Sequence, residues 1–554
     1  MDIVAEVNRA LEYTKEKEYK KAEKIYLGIL KQDDKNAVIL SLLGLLYLNA
    51  GVLKKSEKYL KKAYSIKESV ATIEGLGLVK GYLGELIEAG KYLEKVIDST
   101  KSYDVYDMYI SFLIETRQYS KAYKYSTECV EKFPLKREGY VTLSYCAINI
   151  GKLQEAYALA ELVVKRYPKY GSGWIQLGLI TEILFHDDDK AAECYKKALY
   201  CENKDEAYYN LAVNSDKRKD FKKALYYARK LQRNNPNNDT LCFLFGSIYL
   251  RQRKFKLGMK YYAKYVLRKP KTEPHNALHK LKNIWDGKAY KKDKLFLFGD
   301  QGIGDCIMFS RYLPILEKKF KKIDCMVSDS ILELFKRSFK DNKKITFKPK
   351  GKIPRHDHST VLSVLPYYLK MDFDNIPYSD KYMIADNLKI EKYKELINSD
   401  RLKVGISWEA GGIGLRDLLH RTLNISMYEP FLNTENVQFY SLQVKPAMDN
   451  YKNYKQLIDL APTFKDFDDT AGALMNLDLV ITVDTSVAHL AGALGVKTFM
   501  LLPSCTDWRW FEDDKTTDWY KSIRIFRQKD SKTWDDVMNN IALELKKLAD
   551  NKDC

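Results

Sequence analysis

The stretch Val38–Ala50, VILSLLGLLYLNA, followed after a short turn by Lys54–Tyr64, KKSEKYLKKAY, decides how the first half of the chain is read. Apolar residues recur at helical spacing in both segments, so the pair predicts a helical hairpin. Ser56 belongs to a series of small residues: Ala22, Ser56, Ala89, Ala122, Ala156, Ala191, Ala224 and Gly258, separated by 34, 33, 33, 34, 35, 33 and 34 residues. A small side chain once per unit suits two helices that cross closely, because a larger one would hold them apart. Pro134, Pro168, Pro236 and Pro270 each follow a member of the series by 12 residues. There the proline ring and its missing N–H stop the second helix.

This period resembles that of the tetratricopeptide repeat (TPR) family, whose unit is about 34 residues. Trp174, Leu177 and Gly178 in GSGWIQLG match that family's first-helix signature. The reading is eight repeats over about residues 5–274, within a domain spanning 1–275. The resemblance implies a superhelix whose concave groove takes an extended peptide or a protein partner. The alternative is an array that only spaces or dimerises the carboxyl-terminal part of the chain. Tyr106, Tyr109, Tyr140, Tyr145, Tyr208 and Tyr209 suit either interhelix packing or the lining of a groove.

At 554 residues the chain is too long for one ordinary domain. With 45% hydrophobic and 30% charged residues, it is not a disordered composition. No run of about 18 uncharged apolar residues predicts a membrane span. The beginning lacks the apolar core of a secretory signal, so a cytoplasmic protein is expected. The nine cysteines are scattered and form no CxxC pair, which fits reduced thiols rather than a zinc site or a disulfide framework. The net charge of +19 is uneven. Residues 1–250 hold 40 basic and 34 acidic side chains, residues 295–554 hold 38 and 37, and residues 251–294 hold 15 and 3. An acidic protein segment, an anionic membrane surface or a solvated face all suit that cluster, and nucleic acid is the poorer match. The helical period fades over KTEPHNALHKLKNIWDGKAYKKD, which places a basic linker at 276–293.

From Lys294 the pattern changes to strand, turn and helix. LFLFG (Leu295–Gly299) reads as a strand, Asp300–Asp305 as a glycine-rich turn, and about Ile307–Phe320 as a helix. KIDCMVSDS and KITFK continue the alternation. A second lobe begins at LKVGISW (Leu402–Trp408). It continues through VQFYSLQ (Val437–Gln443), a helix over Asp469–Asn476, LDLVITVD (Leu477–Asp484), the helix of SVAHLAGAL, and KTFMLLP. The fold class expected is α + α/β: a helical solenoid, then two Rossmann-like lobes over 294–395 and 400–554. Open parallel sheets bind ligands at the carboxyl ends of their strands, which puts the site in the cleft between the lobes.

Three segments carry a more specific resemblance: DQGIGDCIMFSRYLPIL, VITVDTSVAHLAGALGVKTFMLLP and DWRWFEDDKTTDWYKSIRIFRQ, in this order. They resemble the TPR-linked branch of the heptosyltransferase-like glycosyltransferases, and HDHSTVLSVLP (His356–Pro366) looks like that branch's first-lobe loop. The layout is also similar to O-linked N-acetylglucosamine transferases. The resemblance implies a GT-B fold, a nucleotide-sugar donor, inversion at the anomeric carbon, and no metal or other cofactor. Asp305 matches the family's GD motif and is implied as the base; as an Asp near a helix start, it equally suits a cap. Gly302 and Gly304 allow close backbone approach to substrate or simply a tight turn. Asp484, Thr485 and Ser486 lead into a helix whose N–H groups and dipole favour the donor diphosphate. Ser486 stands where heptosyltransferases proper have glycine, which weakens the case for a heptose donor. His489, on that helix's first turn, is either a phosphate or sugar contact or a packed core histidine.

Arg421 matches the basic position that would neutralise the diphosphate, with Arg416 and His420 as substitutes. Asp469 and Thr470 suit a helix cap better than a donor contact. His356 and His358 are candidates for acceptor or sugar contact, since no third ligand at suitable spacing makes HxH a metal site. Trp508, Arg509 and Trp510 read as structural support. The leading expectation is a glycosyltransferase that modifies a protein or peptide held by the TPR groove. A lipid-linked glycan acceptor, or a non-catalytic TPR adaptor with a degenerate transferase fold, is the alternative.

Overall fold

The computed structural model describes residues 2–202, 204–238, 240–268, 281–411, 421–444, 454–511, 515–529 and 533–551. They form two compact units, Met1–Leu184 with Tyr200–Glu202, and Phe185–Leu199 with Asn203–Cys554. Among the described residues, sixteen helices run in succession from Ile3–Lys15 to Phe255–Arg268, and within each unit successive helices pair as hairpins. Each of Ala22, Ser56, Ala89, Ala122, Ala156, Ala191 and Ala224 is completely buried. At Gly258 an added Cβ would lie 2.8 Å from the backbone nitrogen of Leu250. The small-residue series is therefore the line of closest helix approach.

A second periodic feature sits five residues before each small residue. Lys17, Gly51, Gly84, Arg117, Gly151, His186, Lys219 and Arg253 all have positive φ, between 50° and 83°. Each stands between two successive helices, just past the end of the first, the usual place for a left-handed residue. Only three of the eight are glycines, so five side chains are held in a conformation that L-residues disfavour.

The second unit continues into two sheets. β1 (Tyr290–Phe298), β2 (Phe320–Met326), β3 (Ile345–Lys348) and β4 (His358–Val361) form a parallel sheet in the order β3-β2-β1-β4. The other sheet contains β5 (Leu402–Ser407), β6 (Val437–Ser441), β7 (Leu457–Asp459), β8 (Leu479–Val483), β9 (Thr498–Leu502), β10 (Thr516–Thr517) and β11 (Tyr520–Arg527). Its order is β10-β11-β9-β8-β5-β6-β7, parallel except at β10. β5, β8 and β9 run as near-continuous buried apolar stretches, as strands covered on both faces must.

Several expectations need correction. β1 starts at Tyr290, inside the segment expected to be linker, and Trp285 is fully buried against Phe320 and Tyr368. The lysines there read as solvated connector, yet the aromatic residues between them pack on the sheet. His356–Pro366, read as a loop, contains β4, whose Ser359, Thr360 and Val361 are buried. The helix expected to begin near Ile307 spans Ile303–Ser310, with Gly302 as its N-cap residue. No described helix is long and apolar enough to cross a membrane.

One apolar core joins the last hairpin to both lobes: Phe255, Met259, Tyr262 and Val266 share it with residues of both sheets. Phe255 meets Phe373 at 4.5 Å between ring centroids, Tyr262 meets Trp508 at 6.0 Å, and Arg253 pairs with Asp518 at 2.7 Å. The last hairpin is thus a structural layer of the α/β part. A fragment starting at Leu281 would uncover Phe373, Trp508 and Trp519. It is expected to aggregate and to bind the dye ANS, whereas a fragment starting at Phe185, the beginning of the second unit, should elute as a folded species in size-exclusion chromatography.

Candidate functional site

The carboxyl ends of β1, β5 and β8 lead to a cleft of about 530 Å³ between the two sheets. The first sheet contributes Gln301–Asp305. The second contributes Arg421, Gln443, Asp466, Asp484–Ser486, His489, Asp507 and Arg509. Asp305 and Ser486, assigned from sequence to the two sides of one site, line the same cavity.

Asp305 does not cap its helix. It lies in the first turn of Ile303–Ser310, and its Oδ1 accepts from Arg509 Nη2 at 2.7 Å. Burial raises its pKa above the usual carboxylate range, and the Arg509 guanidinium pulls the other way. Arg509 also reaches Asp507 Oδ1 at 2.6 Å, while its guanidinium stacks on Trp508, 4.7 Å from the ring centroid. The sequence reading gave Arg509 a supporting role; the structure puts its charge in the cleft. The signal was available in DWRW, where an arginine between two bulky aromatics, two residues after an aspartate, has both a stacking surface and an anionic partner.

Gly302 has open space where a Cβ would be. Gly304 does not: an added Cβ would lie 2.6 Å from His489 Cδ2. Its lack of a side chain lets helix Ile303–Ser310 of one lobe approach helix Ser486–Leu494 of the other. His489 is a packed histidine at this contact, with Nδ1 3.0 Å from the Tyr520 hydroxyl and its ring against Trp510. Burial, reinforced by Arg509, Arg311 and Arg421, depresses its pKa well below the ordinary value and keeps the ring neutral.

Thr485 is the N-cap residue of helix Ser486–Leu494 and accepts from Val487 N at 3.2 Å. The helix start therefore faces the cleft with N–H groups and the positive end of its dipole. Arg421 Nη1 lies 3.8 Å from Asp484 Oδ2. The cap of helix Phe467–Leu474 is Asp466, whose side chain accepts from Asp468 N and Asp469 N. Asp469, expected as a cap, is fully buried and binds Lys389 and Lys392 at 2.6 and 3.1 Å. A cap oxygen must precede the helix, and Asp469 is its third residue. Thr470 lines the cleft.

His356 and His358 are not in this cleft. His358 is the first residue of β4, at the amino end of a parallel strand, and its Nε2 is 3.0 Å from Asp293 Oδ2. His356 Nδ1 is 2.8 Å from the Pro354 carbonyl oxygen. Ligand crevices form at the opposite strand ends, so the sequence motif was placed on the wrong side of the sheet. Arg416 and His420 lie outside the described residues. Among those described, no group of three or more His, Cys, Asp or Glu side chains is arranged to hold a metal ion.

Burial pushes the Asp484 carboxyl up to about 6, against the opposing pull of Arg421. A raised folded-state pKa means the folded chain binds more protons than the unfolded chain between the ordinary value of 3.8 and about 6. Stability contributed by this group therefore falls as pH rises through that window. Asp484→Asn should raise the melting temperature above pH 6, by an amount equivalent to about 1–3 kcal/mol, and flatten the acid side of the stability profile. Thermal melts of both proteins across this pH range measure the effect.

Residues 37–70 match the tetratricopeptide repeat family model. The chain is similar to Protein FlbA of Caulobacter vibrioides, 24% identical over 305 residues, covering 48% of this chain and 48% of that protein. It thus spans about half the length of the curated relative it matches. Among solved structures it is similar to YrrB, described as a TPR protein with an unusual peptide-binding site, at 19% identity, covering 33% of this chain and 95% of that one, with a TM-score of 0.30. A tetratricopeptide repeat protein from Parabacteroides merdae is 13% identical, covering 46% of this chain and 98% of that one, with a TM-score of 0.36. The chain carries tetratricopeptide repeats in an amino-terminal α-solenoid, followed by a region of parallel sheets.

Proposed function

We propose that the α/β part is a GT-B glycosyltransferase, inverting and metal-independent, which transfers a sugar from a nucleoside-diphosphate donor to a polypeptide engaged by the repeats. The observation that carries this reading is a carboxylate, Asp305, lining the same cleft as a helix start and two guanidiniums. The acceptor hydroxyl or amide attacks the anomeric carbon, and the bond from that carbon to the diphosphate oxygen breaks. Asp305 takes the acceptor proton, and the diphosphate leaves with the bonding pair. Arg421, Arg509 and the N–H group of Ser486, with the positive end of its helix, offset the charge that develops on the leaving group, without a cation. Tethering the acceptor on the repeats raises its effective concentration at the site.

Titration calorimetry with a panel of nucleotide sugars in EDTA should give binding by one nucleotide class, weakened in Arg421→Ala. Asp305→Asn should retain nucleotide binding and lose about 10²–10⁴-fold in transfer to a lysate protein. Because the base must be ionised, activity falls as pH drops through the pKa of Asp305. Arg509→Met removes the charge that holds this pKa down and should move the acidic limb of the rate profile to higher pH. No heat with any nucleotide would leave a TPR adaptor, and unchanged transfer by Asp305→Asn would remove Asp305 from the role of base.

A further inference from the structure

A second, larger cavity lies in the same unit, outside the cleft. It is a basin of about 1010 Å³, lined among the described residues by eight lysines and arginines and two carboxylates, Asp188 and Glu544. Its floor is the outer end of β11, from Arg524 to Arg527, continued to Lys529. One wall is the end of helix Lys204–Lys217 with Arg218 and Lys219, and the other is helix Asp535–Asp550. The cations come from segments about 300 residues apart in the chain. No linear charge count reveals them, and they are distinct from the basic excess at 251–294.

Among the described residues the lining carboxylates do not balance this charge. Asp188 pairs with Lys217 at 2.5 Å, and Glu544 is shared by Arg524 at 2.6 Å and Lys547 at 3.1 Å. Arg218 draws on Asp189, outside the lining, at 2.6 Å. Lys515 and Lys529 are exposed, and no carboxylate among the described residues pairs with either. Like charges gathered in a concavity raise the local potential beyond what each gives on a convex surface.

We infer that this basin is a docking site for an acidic polypeptide segment. Three observations select that occupant. The basin is concave, so a flat lipid surface does not reach its floor. Its one aromatic residue, Phe526, is 8% exposed, so it offers no platform on which bases would stack, as single-stranded nucleic acid requires. Leu543 stands on the wall 60% exposed, an apolar contact beside the cations that suits a peptide with mixed acidic and aliphatic side chains. Ser504 and Cys505 line the basin, while Asp507 and Arg509 on the same loop line the cleft. A segment held in the basin is therefore delivered beside the cleft.

The test is fluorescence anisotropy of a labelled oligoglutamate–leucine peptide titrated with the full chain. Binding should weaken about tenfold or more in Lys515→Glu/Lys529→Glu and fall steeply with added NaCl, because both exposed charges act through a screened potential. Lys24→Glu, an exposed reversal on helix Tyr19–Leu30, should leave binding unchanged, and matching circular-dichroism melts would show that all three proteins are folded. Affinity equal in the double variant and the native chain would overturn the inference. So would displacement of the peptide by oligo(dT), or capture by phosphatidylserine vesicles without peptide binding. The readout needs no nucleotide and no transfer, so it stands or falls separately from the proposed glycosyltransferase activity.

Discussion

Phe255, Met259 and Tyr262 leave water by packing into the same apolar core as Phe373, Trp508 and Trp519, and the geometry of the cleft follows from that burial. Non-directional apolar association holds the last hairpin against the sheets. It also fixes Trp508, on whose ring the Arg509 guanidinium rests, and Arg509 holds Asp305. Tyr262 of the helical repeats thus lies three contacts from Asp305, through Trp508 and Arg509. Trp519 strengthens the arrangement by donating its indole N–H to the Arg509 carbonyl at 2.8 Å.

The two lobes meet through close approach and charge together. Gly304 lets two helices come within contact of His489, and buried Arg311 ties the first lobe to the Trp519 carbonyl at 2.7 Å and the Tyr382 hydroxyl at 3.1 Å. Arg337 reaches both carboxylate oxygens of Asp468 across the lobes. Such pairs cost desolvation to bury, so their value here lies in fixing one relative placement of the groups they join. The result is a cleft whose carboxylates sit close to guanidiniums before any ligand arrives.

Among the described residues the cleft is lined by five carboxylates, Asp305, Glu409, Asp466, Asp484 and Asp507, and by three cations, Arg421, Lys465 and Arg509. Asp305 and Asp484 are both pushed upward by burial and both restrained by arginines. These arginines, with the start of helix Ser486–Leu494, supply the positive potential. The neutral His489 adds no charge and serves as packing. The basin near β11 differs: among the described residues its cations outnumber its carboxylates and are spread over a wide concavity.

Much of this was legible in the chain. The period of about 34 residues marked the hairpins, because a small residue is demanded wherever two helix backbones cross and the demand recurs with the geometry. The strand–turn–helix pattern put Asp305 and Asp484–Ser486 at strand carboxyl ends, and the family resemblance singled out Arg421; the structure lines one cleft with all of them. The left-handed residues at Lys17, Arg117, His186, Lys219 and Arg253 were not, since no residue type announces a φ that tertiary packing imposes. Nor was the burial of Trp285 among lysines, the position of His356 and His358 at the amino end of a strand, the partnership of Arg509 with Asp305, or the basin built from distant cations. Local sequence determined which elements form and which ends of them can carry chemistry. Which side chains face one another, and with what charge, was decided only when residues hundreds of positions apart were brought within a few ångströms, where burial and Coulomb interactions act.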